Sequence, residues 1–128
     1  MVDYVVLVAG SRAITDEQWV HGWLDKLLRN ITGSEHVRLT IIQGTAPGPD
    51  SFARSWAIKN GYTFKDYPAD WKLNGKRAGF LRNEEMVNSR PTAAILFWDR
   101  ESNGTLHTLN LVKSRNIPHR VVYPDTNS

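Results

Sequence analysis

A continuous apolar run near the start of the chain, Tyr4-Val5-Val6-Leu7-Val8-Ala9, does not alternate with polar residues. A strand of that kind must be covered on both faces, which is what a parallel sheet between two layers of helices provides. Similar runs return at 38–43 (RLTIIQ) and 92–98 (TAAILFW), with shorter ones at 62–67 and 118–123. Helical patterns separate them. Thr15 and Gln18 fit a capping box, with Thr15 as N-cap of a helix ending near Thr32-Gly33. Trp19, Val20, Trp23, Leu24, Leu27, Leu28 and Ile31 form its apolar face, and His21 faces away toward solvent. Phe52, Ala53, Trp56 and Ala57 mark a second helix stopped by Gly61. Two further helices are expected at 79–89, ended by Pro91, and at 104–115. Residues 68–77 read as an irregular cationic loop.

Strict β-α alternation with buried-type strands predicts an α/β fold. It is a doubly wound parallel sheet of about five strands in the order 3-2-1-4-5, with helices on both faces. A chain of 128 residues holds one such domain, expected over 1–124, and leaves 125–128 as a frayed tail. The absence of cysteine excludes a thiol nucleophile, a thiolate metal site and disulfides. No apolar run approaches a membrane span, and with no export signal in view a cytoplasmic location is expected. The net charge of +3 is too small to point to nucleic acid by itself.

In open α/β sheets ligands bind beyond the carboxyl ends of the strands, where the strand order reverses. Three glycine-bearing loops lie there: Gly10-Ser11-Arg12, then Gly44 to Asp50, then Asp99 to Thr105. Their convergence points to an anion cradle of backbone N–H groups at helix N-termini, with a phosphate at Gly104-Thr105 or at Asp50-Ser51. Arg12 would add a bidentate clamp and Thr105 a hydroxyl donor. Each feature also has a plainer role. Gly48 serves a tight turn, Asp50 caps a helix, Ser102 or Asn103 is an N-cap, and Arg12 is a solvated loop arginine. The cations Lys72, Lys76, Arg77 and Arg82, interleaved with Trp71 and Phe80, read as a lid with Trp71 stacking on a base, as a nucleic-acid patch, or as a solvated loop. Arg82 and Asn83 fall in the first turn of their helix, where an arginine opposes the dipole. His107 falls early in the last helix, and Trp98 either lines the pocket or packs beneath that helix. There is no P-loop, no G-x-G-x-x-G after the first strand, no nucleophile elbow and no histidine pair at metal spacing. No metal or cofactor is therefore expected.

Gly10-Ser11-Arg12, the run from Gly44 to Asp50, Ala69-Asp70-Trp71, Gly79, Arg82-Asn83 with Met86, and Asn103-Gly104-Thr105 together resemble the YspA/YpsA-related branch of the SLOG superfamily, from Val5 to Val122. Proteins of this kind occur in bacteria and their phages. The resemblance implies a Rossmann-like fold and a nucleotide or nucleotide-derived ligand. The ligand-binding set would be Gly10, Ser11, Arg12, Gly44, Gly48, Asp50, Ser51, Trp71, Arg82, Asn83, Asn103, Gly104 and Thr105.

The superfamily also holds the Lonely Guy phosphoribohydrolases, whose pattern is similar to P-G-G-x-G-T-x-x-E with a separate R-K-x-x-M segment. Arg82 and Met86 match the second segment and Gly104-Thr105 the core of the first. Leu106, His107, Thr108 and Leu109 follow Thr105, so the acidic residue of that pattern has no counterpart. An N-glycosidase or phosphoesterase reading would have to draw on Arg82, Asp50 or Asp99. The other readings are a nucleotide sensor or sequestering protein without turnover and, third, a DNA-associated protein, because the DNA-processing protein A family has a similar fold. Glu84 and Glu85 beside Arg82 count against nucleic acid. A homo-oligomer is expected through the helix that carries Trp19 and Trp23.

Overall fold

A computed structural model describes residues 2–32 and 36–125. Five strands, β1 (Val2–Gly10), β2 (Val37–Gln43), β3 (Thr63–Asp66), β4 (Ala93–Phe97) and β5 (His119–Val122), form one sheet in the order β3-β2-β1-β4-β5. Every pairing is parallel; Val6 is aligned with Ile41 on one side and Ala93 on the other. The expected α/β, Rossmann-like layout and strand order are those observed. The apolar runs explain why. Alternate residues of β1 and β4 point to opposite faces, and both faces are covered. Val6, Val8, Ile95 and Phe97 join one core, and Leu7, Ala9, Ala94 and Leu96 join the other.

Helices α1 (Glu17–Thr32) and α2 (Pro49–Asn60) cover the first face. On the second lie α4 (Ala78–Asn88) and α5 (Asn103–Ser114). The short α3 (Trp71–Asn74) and a 3-10 turn at Gly75–Arg77 lead into α4. Among the described residues no helix is long and apolar enough to cross a membrane.

Local details differ from the sequence reading in four places. Helix α1 is capped by Asp16, not Thr15: the Asp16 carboxylate accepts the N–H of Trp19, so the cap lies one residue later than the box predicts. Its expected end at Gly33 lies outside the described residues, as do residues 126–128 of the expected tail. His21 does not face solvent. Its Nε2 lies 2.8 Å from the Phe52 carbonyl and 3.1 Å from the Ser55 hydroxyl, tying α1 to α2. The segment 68–77 is not irregular throughout, because the Asp70 carboxylate accepts the Leu73 N–H and starts α3. Arg82 is the fifth residue of α4, behind the 3-10 turn, and so lies beyond the first turn. The dipole therefore does not oppose it there.

Trp19 and Trp23 turn inward. Trp19 meets Phe97 edge-on at 5.6 Å, and Trp23 is buried. Both indoles take part in the chain's own core.

Candidate functional site

Strands β1, β2 and β4 end side by side, and the segments that follow them enclose a cavity of about 480 Å³. Of the expected ligand-binding residues, Gly10, Arg12, Asp50, Trp71, Arg82, Asn83, Gly104 and Thr105 line it. Ser11, Gly44, Gly48, Ser51 and Asn103 are not on its wall. Asp99 is, and so are Glu101, Ser102, Met86 and Thr108, which the sequence reading left out of the site. Met86 follows Arg82 by one helical turn, and Thr108 follows Gly104 in the same way, so helical spacing carried a signal for both. Lys76 and Phe80 of the expected lid also reach the cavity, whereas Lys72 and Arg77 do not line it.

The loop after β2 is organised around Asp50. This residue sits in the first turn of α2, one place inside the helix from Pro49, and is buried. Its Oδ2 accepts the N–H groups of Gly44 and Ala46, each at 3.2 Å. Asp50 is thus neither a plain cap nor a spectator to a phosphate: its own carboxylate occupies the nest of N–H groups that an anion would otherwise take. Burial pushes the Asp50 carboxyl up to about 6. The Ala46 N–H, the Arg82 guanidinium, the Gly44 N–H and Arg12 pull in the opposite direction.

Arg82 crosses from α4 to this loop. Its Nε donates to the Asn83 side-chain oxygen at 2.8 Å, and its Nη1 donates to the Gly44 carbonyl. A side chain at position 44 would collide with this guanidinium. Burial lowers the pKa of Arg82, Asp50 raises it and Arg12 lowers it again; the net result lies below the ordinary arginine value. Gly48, with φ of 90°, packs 3.0 Å from the Ile14 carbonyl and 3.1 Å from that of Ser11, measured from where a Cβ would stand. The backbone there needs glycine for its conformation and for the close approach of the first loop. Gly10 likewise leaves room for Pro49. Ser51 donates its hydroxyl to the Gly48 carbonyl at 3.0 Å. Gly44, Gly48 and Ser51 build the loops rather than the wall, and Gly10 does both.

The loop after β4 is held by Asp99. Its Oδ1 accepts the N–H groups of Glu101 and Ser102 and the Ser11 hydroxyl, each at 2.9 Å. The two N–H bonds are the main reason its carboxyl is held below the usual carboxylate range. Ser102 then caps α5, its Oγ accepting the Thr105 N–H. The Leu106 N–H reaches the Ser102 carbonyl, which leaves the N–H groups of Asn103 and Gly104 without an intrahelical acceptor. Gly104 is open: apart from its chain neighbours and the backbone of its own helix, nothing of the protein lies within 4 Å of where a Cβ would stand. Asn83, buried, points its amide nitrogen at the Gly104 carbonyl and at His107 Nδ1, 3.4 and 3.3 Å away. His107 in turn packs on Phe80 with ring centroids 4.6 Å apart. Trp98 does not line the cavity; its indole N–H donates to the Ser102 carbonyl at 3.1 Å.

Arg12 acts on Asp50 and Arg82 through its charge alone. It lines the cavity, is exposed, and makes no hydrogen bond or ion pair among the described residues. Trp71 and Phe80 are exposed beside it, at 53% and 45% of their surface, an unusual degree for large apolar side chains that border a concave site. Among the described residues no group of three or more histidine, aspartate or glutamate side chains is placed to hold a metal ion.

A crystal structure described as "predicted subunit of tRNA methyltransferase", from Methanocaldococcus jannaschii DSM, is 16% identical and aligns with a TM-score of 0.47 over 98% of this chain and 70% of that one. The Gene 61 protein of Mycobacterium phage D29 is 35% identical over 119 residues, spanning 88% of this chain and 91% of its own length. The family model for the YspA, cpYpsA-related SLOG family matches residues 4–73, which include the first two loops of the cavity and Trp71. On that match and on the phage relative, the chain belongs to the YspA, cpYpsA-related SLOG family.

Proposed function

We propose that the protein binds a nucleotide or nucleotide-derived ligand in the cavity at the carboxyl ends of β1, β2 and β4, with its phosphate between Arg12 and the start of α5. The observation that carries this reading is the pairing of an unengaged guanidinium with an open helix start. Arg12 makes no hydrogen bond or ion pair among the described residues, although its charge acts on Asp50 and Arg82, and Gly104 opens α5 at an exposed position. A helix N-terminus and a guanidinium together favour a dianion. Trp71 and Phe80 supply exposed aromatic surface for a base.

Binding without turnover is favoured over hydrolysis because the acidic residue of the phosphoribohydrolase pattern has no counterpart after Thr105. Asp50 Oδ2 is occupied by two backbone N–H groups and Asp99 Oδ1 by three donors, so the two residues hold loops in place.

Calorimetry with a nucleoside 5′-monophosphate and its nucleoside tests the binding. Tighter binding of the monophosphate, lost in Arg12→Ala, is expected; equal affinity for both would remove the phosphate from this site. Incubation with nucleoside monophosphates followed by chromatography for free base tests the second point. Release of base that depends on Asp50 or Asp99 would make the protein an enzyme.

A further inference from the structure

A second cavity, of about 300 Å³, lies on the α1 side of the sheet. It shares no lining residue with the first. Its floor is Ala94 and Ile95 of β4, and its walls come from the second half of α1 and from Arg120 of β5. Arg120 is aligned with Ile95 across the last strand pair, so it projects from the sheet edge on the face that carries α1.

Three observations there remain without a role. First, Lys26, Arg29 and Arg120 all line the cavity, no carboxylate does, and none of the three forms an ion pair among the described residues. Second, two of these cations are held in place. The Lys26 ammonium stands 4.7 Å, and the Arg120 guanidinium 4.6 Å, from the centre of the Trp23 ring. Third, the Trp23 indole N–H is buried and has no acceptor, alone in this among buried side-chain polar atoms of the described residues. A buried donor without a partner costs folding free energy and asks for an explanation. Like charges drawn to one cavity ask for the same thing, and an anion answers the charges.

We propose that this cavity is a second ligand site, taking the phosphate of a small phosphomonoester between Lys26, Arg29 and Arg120, beside the Trp23 ring. A phosphomonoester is a dianion and so offsets two of the three charges. The volume is at the low end for small-molecule sites, which suits a compact ligand such as a sugar phosphate. Nucleic acid suits it less well. With Lys26 and Arg120 both over its ring, Trp23 is not available as a stacking platform for a base.

Nitrogen-15 NMR of the indole N–H signals of the full chain tests the proposal. The chain has 5 tryptophans, so these signals are few. The Trp23 signal is identified with Trp23→Phe, or by sequential assignment of the unaltered chain should that variant not fold. Titration with inorganic phosphate and with ribose 5-phosphate should move the Trp23 signal to saturation. Arg120→Gln, a change at an exposed position, should raise the midpoint about tenfold, the loss expected for one guanidinium–phosphate contact. Arg12→Ala, in the other cavity, should leave that midpoint unchanged. A Trp23 signal that does not move, or that moves equally in Arg120→Gln, overturns the proposal. So does saturation by oligothymidylate alone, which would make the site a nucleic-acid contact. A shift lost in Arg12→Ala would show that it arises in the first cavity. Failure of Arg12→Ala to weaken nucleotide binding would count against the first site and leave this one untouched.

Discussion

Arg12 and Arg82 bring the same charge to one cavity but stand in different surroundings. Arg82 is tied to Asn83 and to the Gly44 carbonyl and faces Asp50, whereas Arg12 is exposed and unengaged. Two guanidiniums converging on an empty site repel, and Arg12 does lower the pKa of Arg82. From charge alone both would be dispensable to the fold. The hydrogen bonds separate them. Arg12→Ala should weaken a phosphorylated ligand about tenfold or more and leave the melting temperature unchanged or slightly raised. Arg82→Ala should lower stability by about 1–3 kcal/mol, because the Gly44 carbonyl and Asp50 lose their partner in a buried setting. Calorimetry and thermal denaturation on both variants check this; equal melting temperatures would show that Arg82 does not hold the loop.

Asp50 gives the second residue-scale prediction. Its folded pKa, about 6, lies above the ordinary 3.8, so the folded chain holds a proton that the unfolded chain has released. The stabilising effect of that proton is present below about pH 4 and is lost as pH rises through about 6, a change of about 3 kcal/mol at most. Asp50→Asn should flatten the stability profile between pH 4 and 6; an unchanged slope would assign it to other groups.

At the scale of elements, α5 is the helix that the site needs most. Ser102 starts it, and Asp99 fixes the turn before it. Ser102→Ala should cost about 1 kcal/mol of stability, the usual value of an N-cap, and should also weaken the nucleotide by loosening the Gly104 N–H. Gly104→Val should spare the fold, since no other segment of the protein occupies the space near that position, and should abolish nucleotide binding. A Gly104→Val chain that binds normally in calorimetry would move the phosphate away from α5. On the other face, α1 and α2 are joined by a cluster that has a catalytic look without the geometry. His21 Nε2 is 3.1 Å from the Ser55 hydroxyl, and that hydroxyl donates to Glu17 at 2.9 Å. The same His21 nitrogen is 2.8 Å from the Phe52 carbonyl, to which it must donate. It therefore has no lone pair for the serine, and the cluster is a helix-to-helix clip.

Across the whole molecule, what could be read in advance was what depends on burial. The runs at 4–9 and 92–98 are apolar because both faces of β1 and β4 are covered, which predicts parallel strands, while their order followed from the β-α alternation and the commonest doubly wound layout. The site was legible by place rather than by role. Gly10, Gly44 and Gly48 stand in the converging loops, yet they make room for Pro49, Arg82 and the first loop's carbonyls, contacts between segments far apart in sequence. Asp50 as an internal anion was equally out of reach, because nothing local marks which N–H groups its carboxylate will take. Glu101 carries no periodic signal and enters the cavity only through the turn that Asp99 fixes.

The integrated test of the site is linkage between binding and stability. A ligand at one hundred times its dissociation constant adds about 2.7 kcal/mol to the folded state. For a chain of 128 residues that corresponds to a rise in melting temperature of about 10 °C. A nucleoside 5′-monophosphate should give this rise in the unaltered protein. At the same ligand concentration Arg12→Ala, with affinity reduced tenfold, should give about half of it. The matching nucleoside, unable to engage Arg12 or α5, should shift both proteins by the same smaller amount. That equality is the decisive comparison. Had Arg12 contributed through the base or through the fold, the nucleoside would distinguish the two proteins as sharply as the nucleotide does.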